Sequence, residues 1–569
     1  MEKIIHAQKT QYYGINDPDK LLEDINNNLK PKNEEKKERG EVFTPISLVK
    51  EMLNKLPSSV WNNPDLKWLD PAVGIGNYPI IVYLNLMKGL EVWEPDEEKR
   101  KKHILENMLY MVEISDKSIL ILNKIFCGID GGGIYKINIH AESFLEDKYN
   151  DKFDIIIGNP PYNHGGVAKG GGPLWPQFVH KSLELLNDDG YLCMIHPPGW
   201  RKPIGERASA GDIWNKFKKY NLIYLKIDDT KIKHFPRVDY YVLHKSDNKT
   251  ETHIDNSFEN NTFNGRLNIH ELSLIPHFVN KDVLSVFNKL FNKSGDKFYI
   301  IRNQSFKPAS KDNEITIGKP HAHMWKVESN DYVIIYKNYS DIDFNKINKD
   351  NYFNKKKIVM TYNAPNKSAN LYPKYYDSMV GTTANTMYKI IEESDNKNNI
   401  MFLLNSKLIH CILKLTQYSE APNKKNEFKI LNMITKPNEG IINNEEELYK
   451  FYGISSNEQK IIEKLVENSY MKKSNPRNNS VILNKTIKKE KKDDPPSKAT
   501  TLKKSINEFK QPEETDPKYQ KKYEECIKQG KLWNLQTKRC IVDNEHNRRK
   551  LTIKKKDSPK SNTSVKIKK

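Results

Sequence analysis

The apolar run Phe153-Asp154-Ile155-Ile156-Ile157-Gly158 stops at Asn159-Pro160-Pro161-Tyr162. A run this apolar and this short reads as a buried strand, and two prolines, which have no N–H to give a ladder, end it. The turn is therefore expected at the carboxyl end of a buried strand, where open α/β sheets collect their ligands. Other segments repeat the shape. Trp68-Leu69-Asp70-Pro71-Ala72-Val73-Gly74-Ile75-Gly76-Asn77 reads as a short strand opening into a Gly-containing loop, then a helix from Tyr78 to about Leu90. Met108 to Glu113 is an apolar strand ending in a carboxylate, preceded by a charged helical insertion around Asp96 to Glu106. Tyr191–Ile195, Leu222–Leu225 and Asp239–Leu243 are further strands, with a helix at Phe178–Leu186 packing back on them. This strand–helix alternation predicts a doubly wound α/β domain.

The turn suits one chemical task, transfer of a methyl group to an exocyclic amine. The lone pair of an aryl amine is delocalised into its ring, so the nitrogen is a poor nucleophile. The Asn159 side-chain oxygen and the Pro160 carbonyl would accept its two N–H bonds and favour an sp³-like nitrogen. Tyr162 offers a flat face for an extruded base, and Pro160 and Pro161 stiffen the turn. Read alone, the same four residues also fit a Pro-rich turn with no chemistry. Upstream, Gly74 and Gly76 remove side chains where backbone passes close to a ligand. The loop has no Gly-Lys-Ser/Thr ending and lacks the third Gly of a dinucleotide fingerprint. Glu113 lies 43 residues beyond Asp70, against about 20 in dinucleotide folds; a strand-end acid hydrogen-bonds ribose hydroxyls in related nucleotide-binding sheets, and taken alone it equally fits a solvated carboxylate. Near the start, Gly40-Glu41-Val42-Phe43-Thr44-Pro45 precedes an amphipathic helix from Ile46 to about Leu56, with Thr44 or Ser47 as candidate cap and Pro45 in its first turn.

Taken together, Asp154 to Tyr162 resembles the catalytic motif of N6-adenine DNA methyltransferases, and Asp70 to Gly76 resembles their S-adenosylmethionine loop. The resemblance implies a doubly wound S-adenosylmethionine-dependent methyltransferase sheet. It implies that Phe43, Thr44 and Pro45 fold over the cofactor, that Asp70, Pro71, Ala72, Gly74 and Gly76 line its methionine end, and that Asn159 touches it. Ile139-His140-Ala141-Glu142-Ser143-Phe144 is similar to the family's third motif, so Glu142 and Ser143 are expected near the cofactor adenine, with Glu where Asp is usual. Protein-glutamine and some rRNA amino-methyltransferases share Asn-Pro-Pro-Tyr. The order of lid, cofactor loop, acids, catalytic turn and long trailing region resembles the gamma arrangement of DNA methyltransferases instead. Gly381 to Tyr388 and Leu404 to Leu408 resemble the recognition region of Eco57I-like restriction-modification methylases. The implied substrate is adenine in duplex DNA; RNA, protein glutamine and a non-catalytic DNA-binding role are the alternatives.

The expected domains are a helical extension (1–38), the catalytic domain (39–246), a mixed α/β target-recognition region (247–470) and a Lys-rich disordered tail (471–569). In the recognition region, strands are expected at Tyr332–Tyr336 and Lys357–Thr361 and a helix at Met401–Leu415. Tyr362, Asn363, Lys367, Lys374, Tyr375 and Tyr376 are its candidate DNA contacts. His196 reads as a structural strand-end residue, and the Gly165–Gly172 loop as a cover or a surface loop.

Charge localises rather than identifies. The chain carries 93 Lys/Arg against 73 Asp/Glu, and residues 471–569 hold 29 of the former and 12 of the latter. The remaining 64 and 61 nearly balance, so the excess belongs to the tail, either as a sequence-independent DNA contact or as a solvated linker. Within the tail, segment 524–542 with Cys526 and Cys540 resembles a two-cysteine adaptor repeat of large DNA viruses. No tight Cys-x-x-Cys pair accompanies it, so no metal is expected. Pro18-Asp19 and Glu34-x-Lys36 formally fit a nuclease spacing but lack flanking apolar strands, so the expectation is a methyltransferase that stands alone or is paired with a cognate restriction endonuclease. With no signal peptide or apolar span of about 20 residues, the expectation is a soluble intracellular protein with no membrane, in host cytoplasm or a viral factory if viral.

Overall fold

The computed structural model describes residues 20–21, 44–127, 135–146, 149, 151–163, 172–202, 212–228, 237–302, 321–328, 331–337, 352, 354–362, 369–377, 380–382, 386–418, 428–467, 520, 523–525, 532–534 and 539–541; for 321–328, 331–337, 532–534 and 539–541 it describes the backbone alone. The chain divides into two units, Met1–Lys473 and Ser474–Lys569.

The larger unit is organised by a nine-stranded sheet. Its strands are β1 (Trp68–Asp70), β2 (Leu109–Val112), β3 (Asn138–His140), β4 (Phe153–Gly158), β5 (Leu186–His196), β6 (Asn221–Asp228), β7 (Asp239–His244), β8 (Thr252–Phe258) and β9 (Asn261–Leu267). Their spatial order is β3-β2-β1-β4-β5-β7-β6-β8-β9. From β3 to β5 all pairings are parallel; β7 enters antiparallel between β5 and β6. Consecutive strands run outward from β1 in one direction and resume at β4 in the other, so β1 and β4 flank a topological switch point.

Alternate residues of the parallel strands feed opposite faces, as the strand period of two demands. Ile155 and Ile157 of β4 join one apolar cluster and Ile156 the other. The first cluster is closed by α1 (Ile46–Leu53), α2 (Asn77–Gly89) and α4 (Asp116–Cys127). The second is closed by α5 (Trp175–Leu185) and α6 (Ile213–Phe217). The charged insertion forms α3 (Glu97–His103), whose Asp96 side chain accepts the Lys99 N–H as N-cap. Burial on both faces explains why β4 reads as one apolar run.

The sheet does not stop at residue 246. β8 and β9 extend it through β6·β8 parallel and β8·β9 antiparallel pairing. β8 alternates buried and half-buried residues around polar side chains such as Asp255 and Asn256, so it lacks the continuous apolar run that marks a central strand.

Beyond the sheet, Ile300–Ile301, Thr386–Ile390, Lys357–Thr361 and Lys374–Tyr376 form a four-stranded sheet in that order. It shares a third apolar cluster with the helices Lys281–Asn292, Lys397–Leu404, Lys407–Leu415 and Ser456–Val466. The single helix expected over Met401–Leu415 is two helices. Asn405 closes the first, and the Ser406 side chain accepts the Ile409 N–H to start the second. In the smaller unit, Leu532–Asn534 and Arg539–Ile541 pair antiparallel with Trp533 opposite Cys540, while Cys526 lies outside the described residues. Among the described residues no helix is long and apolar enough to cross a membrane.

Candidate functional site

The carboxyl ends of β1, β2 and β4 lie side by side, which brings Asp70, Glu113 and Asn159 to one edge of the sheet. Gly158 sets the closest approach. Its φ is +152°, and a Cβ there would meet Asp70 Oδ1 at 2.9 Å. Only glycine lets β4 end against Asp70 and turn straight into Asn159. Gly158 was not among the expected site residues, although a lone Gly between an apolar run and Asn-Pro-Pro was the available signal.

Asp70 is buried. Its Oδ1 accepts the Ala72 N–H at 3.1 Å, and its Oδ2 has no hydrogen-bond partner. Burial pushes the carboxyl up to about 8; the Ala72 N–H opposes the rise and the Glu113 charge adds to it. Beside it, the loop passes through left-handed backbone at Gly74 (φ +56°) and Gly76 (φ +97°), and Pro71 is buried while Ala72 is half-buried. Glu113 is occupied by the loop itself. Its Oε2 accepts the Gly74 N–H at 2.8 Å, and its Oε1 accepts the N–H groups of Ile114 and Ser115 at 2.9 and 2.8 Å. The carboxylate thus pins the Gly74 loop to the end of β2. Glu142 is exposed and Ser143 half-buried, both just past β3.

Thr44 is the hub that the site shares with the N-terminal segment. Its Oγ1 accepts from Asn159 Nδ2 at 3.1 Å and from the Tyr78 hydroxyl at 3.4 Å; its carbonyl accepts from Asn77 Nδ2 at 2.8 Å. The hydroxyl is therefore not a helix cap. Pro45 occupies the N-cap of α1, with no side-chain cap, and the Pro45 carbonyl receives the Leu48 and Val49 N–H groups. Asn77 and Tyr78 sit in the first turn of α2 and were missed as site residues, since nothing in a helix start marks which side chains reach back to another segment. Asn77 Oδ1 is buried and has no hydrogen-bond partner. Phe43 lies outside the described residues.

In the turn, Pro160 and Tyr162 are buried and Asn159 and Pro161 half-buried. Tyr162 is 7% exposed and shares the second sheet cluster with Trp175 and Phe178. Burial raises its hydroxyl above the ordinary phenol range, with the Asn159 amide drawing it back. Its carbonyl accepts the Leu174 N–H at 2.9 Å, and Asn163 bridges Pro173, so the chain returns to the turn after residues 164–171, which lie outside the described set. His196 is buried at the end of β5, stacked on Trp175 at 4.1 Å with Nε2 3.0 Å from the Tyr241 hydroxyl. Burial lowers it to about 3, so the ring is a neutral packing element.

The candidate DNA contacts are less uniform. Tyr362 is buried, with the Arg302 guanidinium 3.7 Å over its ring. Lys374, Tyr375 and Tyr376 form the half-buried edge strand of the four-stranded sheet. Asn363 and Lys367 lie outside the described residues.

Comparison with known proteins meets this geometry part-way. Residues 91–232, which include the Asn159–Tyr162 turn, match the Eco57I restriction-modification methylase family. An uncharacterised adenine-specific methylase of Mycoplasma pneumoniae is 29% identical over 235 residues, covering 28% of this chain and 55% of that protein. The modification methylase CviBIII of Paramecium bursaria Chlorella virus NC1A is 29% identical over 173 residues, covering 29% of this chain and 39% of the relative. The chain thus spans about half the length or less of these two relatives. Among solved structures, the type IIL restriction-modification enzyme MmeI in complex with DNA aligns at a TM-score of 0.43 and 12% identity, over 79% of this chain and 77% of that one. A modification subunit of a type I restriction enzyme from Vibrio vulnificus aligns at 0.31 and 15%, over 44% and 55%.

Proposed function

We propose that this chain transfers a methyl group from S-adenosylmethionine to N6 of adenine in duplex DNA. The carrying observation is the Asn159-Pro160-Pro161-Tyr162 turn, seated at the sheet's switch point against a buried Asp70 whose Oδ2 has no protein partner. The methylase family match over residues 91–232 supports the same reading.

The residues present fit the cofactor. Asp70 Oδ2 and Asn77 Oδ1 are buried acceptors without partners, and a buried orphan acceptor is costly unless a ligand donates to it. Gly74 and Gly76 carry the loop through positive-φ backbone that other residues rarely adopt. Asp70, Pro71, Ala72, Gly74 and Gly76 would hold the methionine end, Glu113 the ribose, Glu142 and Ser143 the adenine end, and Phe43, Thr44 and Pro45 the near side. When bound, S-adenosylmethionine supplies an electrophilic methyl group.

The protein's part is to orient the acceptor nitrogen. The Asn159 side-chain oxygen and the Pro160 carbonyl accept the two amine N–H bonds, which localises the lone pair on nitrogen. Tyr162 stacks on the flipped base, which asks that its covered ring be exposed by movement of the Leu174 end of the segment bound to it. No side chain with an accessible pKa is required, in keeping with a neutral His196. Residues 39–246 carry the chemistry, 247–470 the target recognition, and the basic tail adds salt-dependent affinity for DNA; a separate endonuclease would complete a restriction-modification pair.

Incubating the chain with methyl-labelled S-adenosylmethionine and, separately, duplex DNA, RNA and protein tests this. Label is expected in duplex DNA as N6-methyladenine, and Asn159→Ala should lose at least about 10²-fold in rate, the scale of removing one polar group from a reacting centre. Label in RNA or protein alone would overturn the reading.

A further inference from the structure

An amide has two ends of similar shape and opposite chemistry. For Asn159 to accept an amine N–H, its oxygen and not its NH₂ must face the substrate; a half-turn about the last side-chain bond would oppose donor to donor. The NH₂ end needs a partner away from the substrate. The chain provides it from 115 residues away in sequence, where Thr44 Oγ1 lies 3.1 Å from Asn159 Nδ2. Thr44 is itself held. It is 3% exposed, its hydroxyl oxygen also receives the Tyr78 hydroxyl, and its carbonyl receives Asn77.

We infer that Thr44 is a positioning residue for catalysis: by accepting an N–H of the Asn159 carboxamide, it holds the NH₂ end of that amide away from the acceptor amine. This deepens the methyl-transfer reading and rests on it. Thr44 is free for this task because α1 begins at Pro45 without a side-chain cap. Both its oxygens accept from protein groups, and valine would keep the methyl group that threonine offers the cofactor. Asn77 and Tyr78, from the same turn of α2 that follows the cofactor loop, set the height of Thr44. The amide is thereby referenced to the helix that follows the Gly74–Gly76 loop.

The discriminating variants are Thr44→Val, which keeps shape and methyl but removes the acceptor, and Thr44→Ser, which keeps the acceptor. Thr44→Val is expected to lower kcat about tenfold, the loss of about one hydrogen bond's bias, with S-adenosylmethionine affinity by calorimetry changed less than about twofold. Thr44→Ser should restore most of kcat. An activity-independent readout is the Asn159 side-chain amide resonance in full-length protein labelled with ¹⁵N-asparagine, assigned by its loss in Asn159→Asp. It should be protected from hydrogen exchange in wild type and Thr44→Ser and unprotected in Thr44→Val. Full kcat in Thr44→Val, equal impairment of both variants, or unchanged amide protection would overturn the inference. A wild type that binds S-adenosylmethionine and protects the amide, yet methylates no DNA, would sink the DNA reading and leave the Thr44–Asn159 bond standing.

Discussion

Asp70 makes a quantitative prediction about cofactor binding. Its carboxyl is pushed by burial from 3.8 to about 8, so at pH 7 about nine chains in ten hold it protonated. S-adenosylmethionine carries an ammonium group, and a cation at Asp70 favours the carboxylate. Binding at pH 7 should therefore release about 0.9 of a proton per chain. Isothermal titration in buffers of different ionisation enthalpy reads that number directly, as the slope of observed enthalpy against buffer enthalpy. Asp70→Asn retains an oxygen for the Ala72 N–H, so its slope should fall to nearly zero and its affinity should weaken. The same shift acts on stability. The folded carboxyl holds its proton where the unfolded one has lost it, so the contribution is fully present below pH 3.8 and is lost as pH rises through about 8. In that window wild-type stability should fall by about 1.4 kcal/mol per pH unit from this group, and the slope should be absent in Asp70→Asn. Wild-type binding at pH 7 with no proton exchange would refute the reasoning.

Three further outcomes follow from single contacts. Gly158→Ala places a Cβ 2.9 Å from Asp70 Oδ1 at φ +152°; a loss of about 1–3 kcal/mol is expected by denaturant unfolding, with cofactor affinity falling alongside. Arg201→Met strands Asp239, which takes Arg201 Nε at 2.7 Å and Trp200 Nε1 at 2.9 Å with both charged side chains fully buried. About 3–5 kcal/mol should be lost, because Arg201 also donates to the Ile275 and Pro276 carbonyls and so joins the end of β5 to the chain beyond β9; little or no loss in the unfolding midpoint would count against that role. His196→Phe should leave the pH–rate profile between pH 5 and 9 unchanged in shape, since the native ring titrates near 3; a lost inflection would show the ring ionising in that range.

Much of this architecture could be read along the chain, for a physical reason. β1, β2, β4 and the Leu192–Ile195 stretch of β5 are buried on both faces or nearly so, and a strand with little solvent side must be mostly apolar, so each announced itself as a run. Glycine and proline at the run ends then marked the loops that form the site. β8 escaped because one of its faces is only half-buried and carries polar side chains. The helix break at Ser406 escaped because an apolar stripe continues across it, and only the cap reveals the interruption.

The site divides along the same line. Residue type and spacing along the chain were enough to nominate Asp70, Glu113 and Asn159 as strand-end groups, since covalent order dictates what each strand ends in. What those groups do to one another depends on approach distances that no one-dimensional pattern encodes. Packing alone made Glu113 a clamp on Gly74, raised Asp70 by taking it out of water, and turned Thr44 from a helix cap into the acceptor that orients Asn159. Hydrogen bonds act over about 3 Å, and 115 residues of chain separate Thr44 from Asn159; only the fold closes that gap.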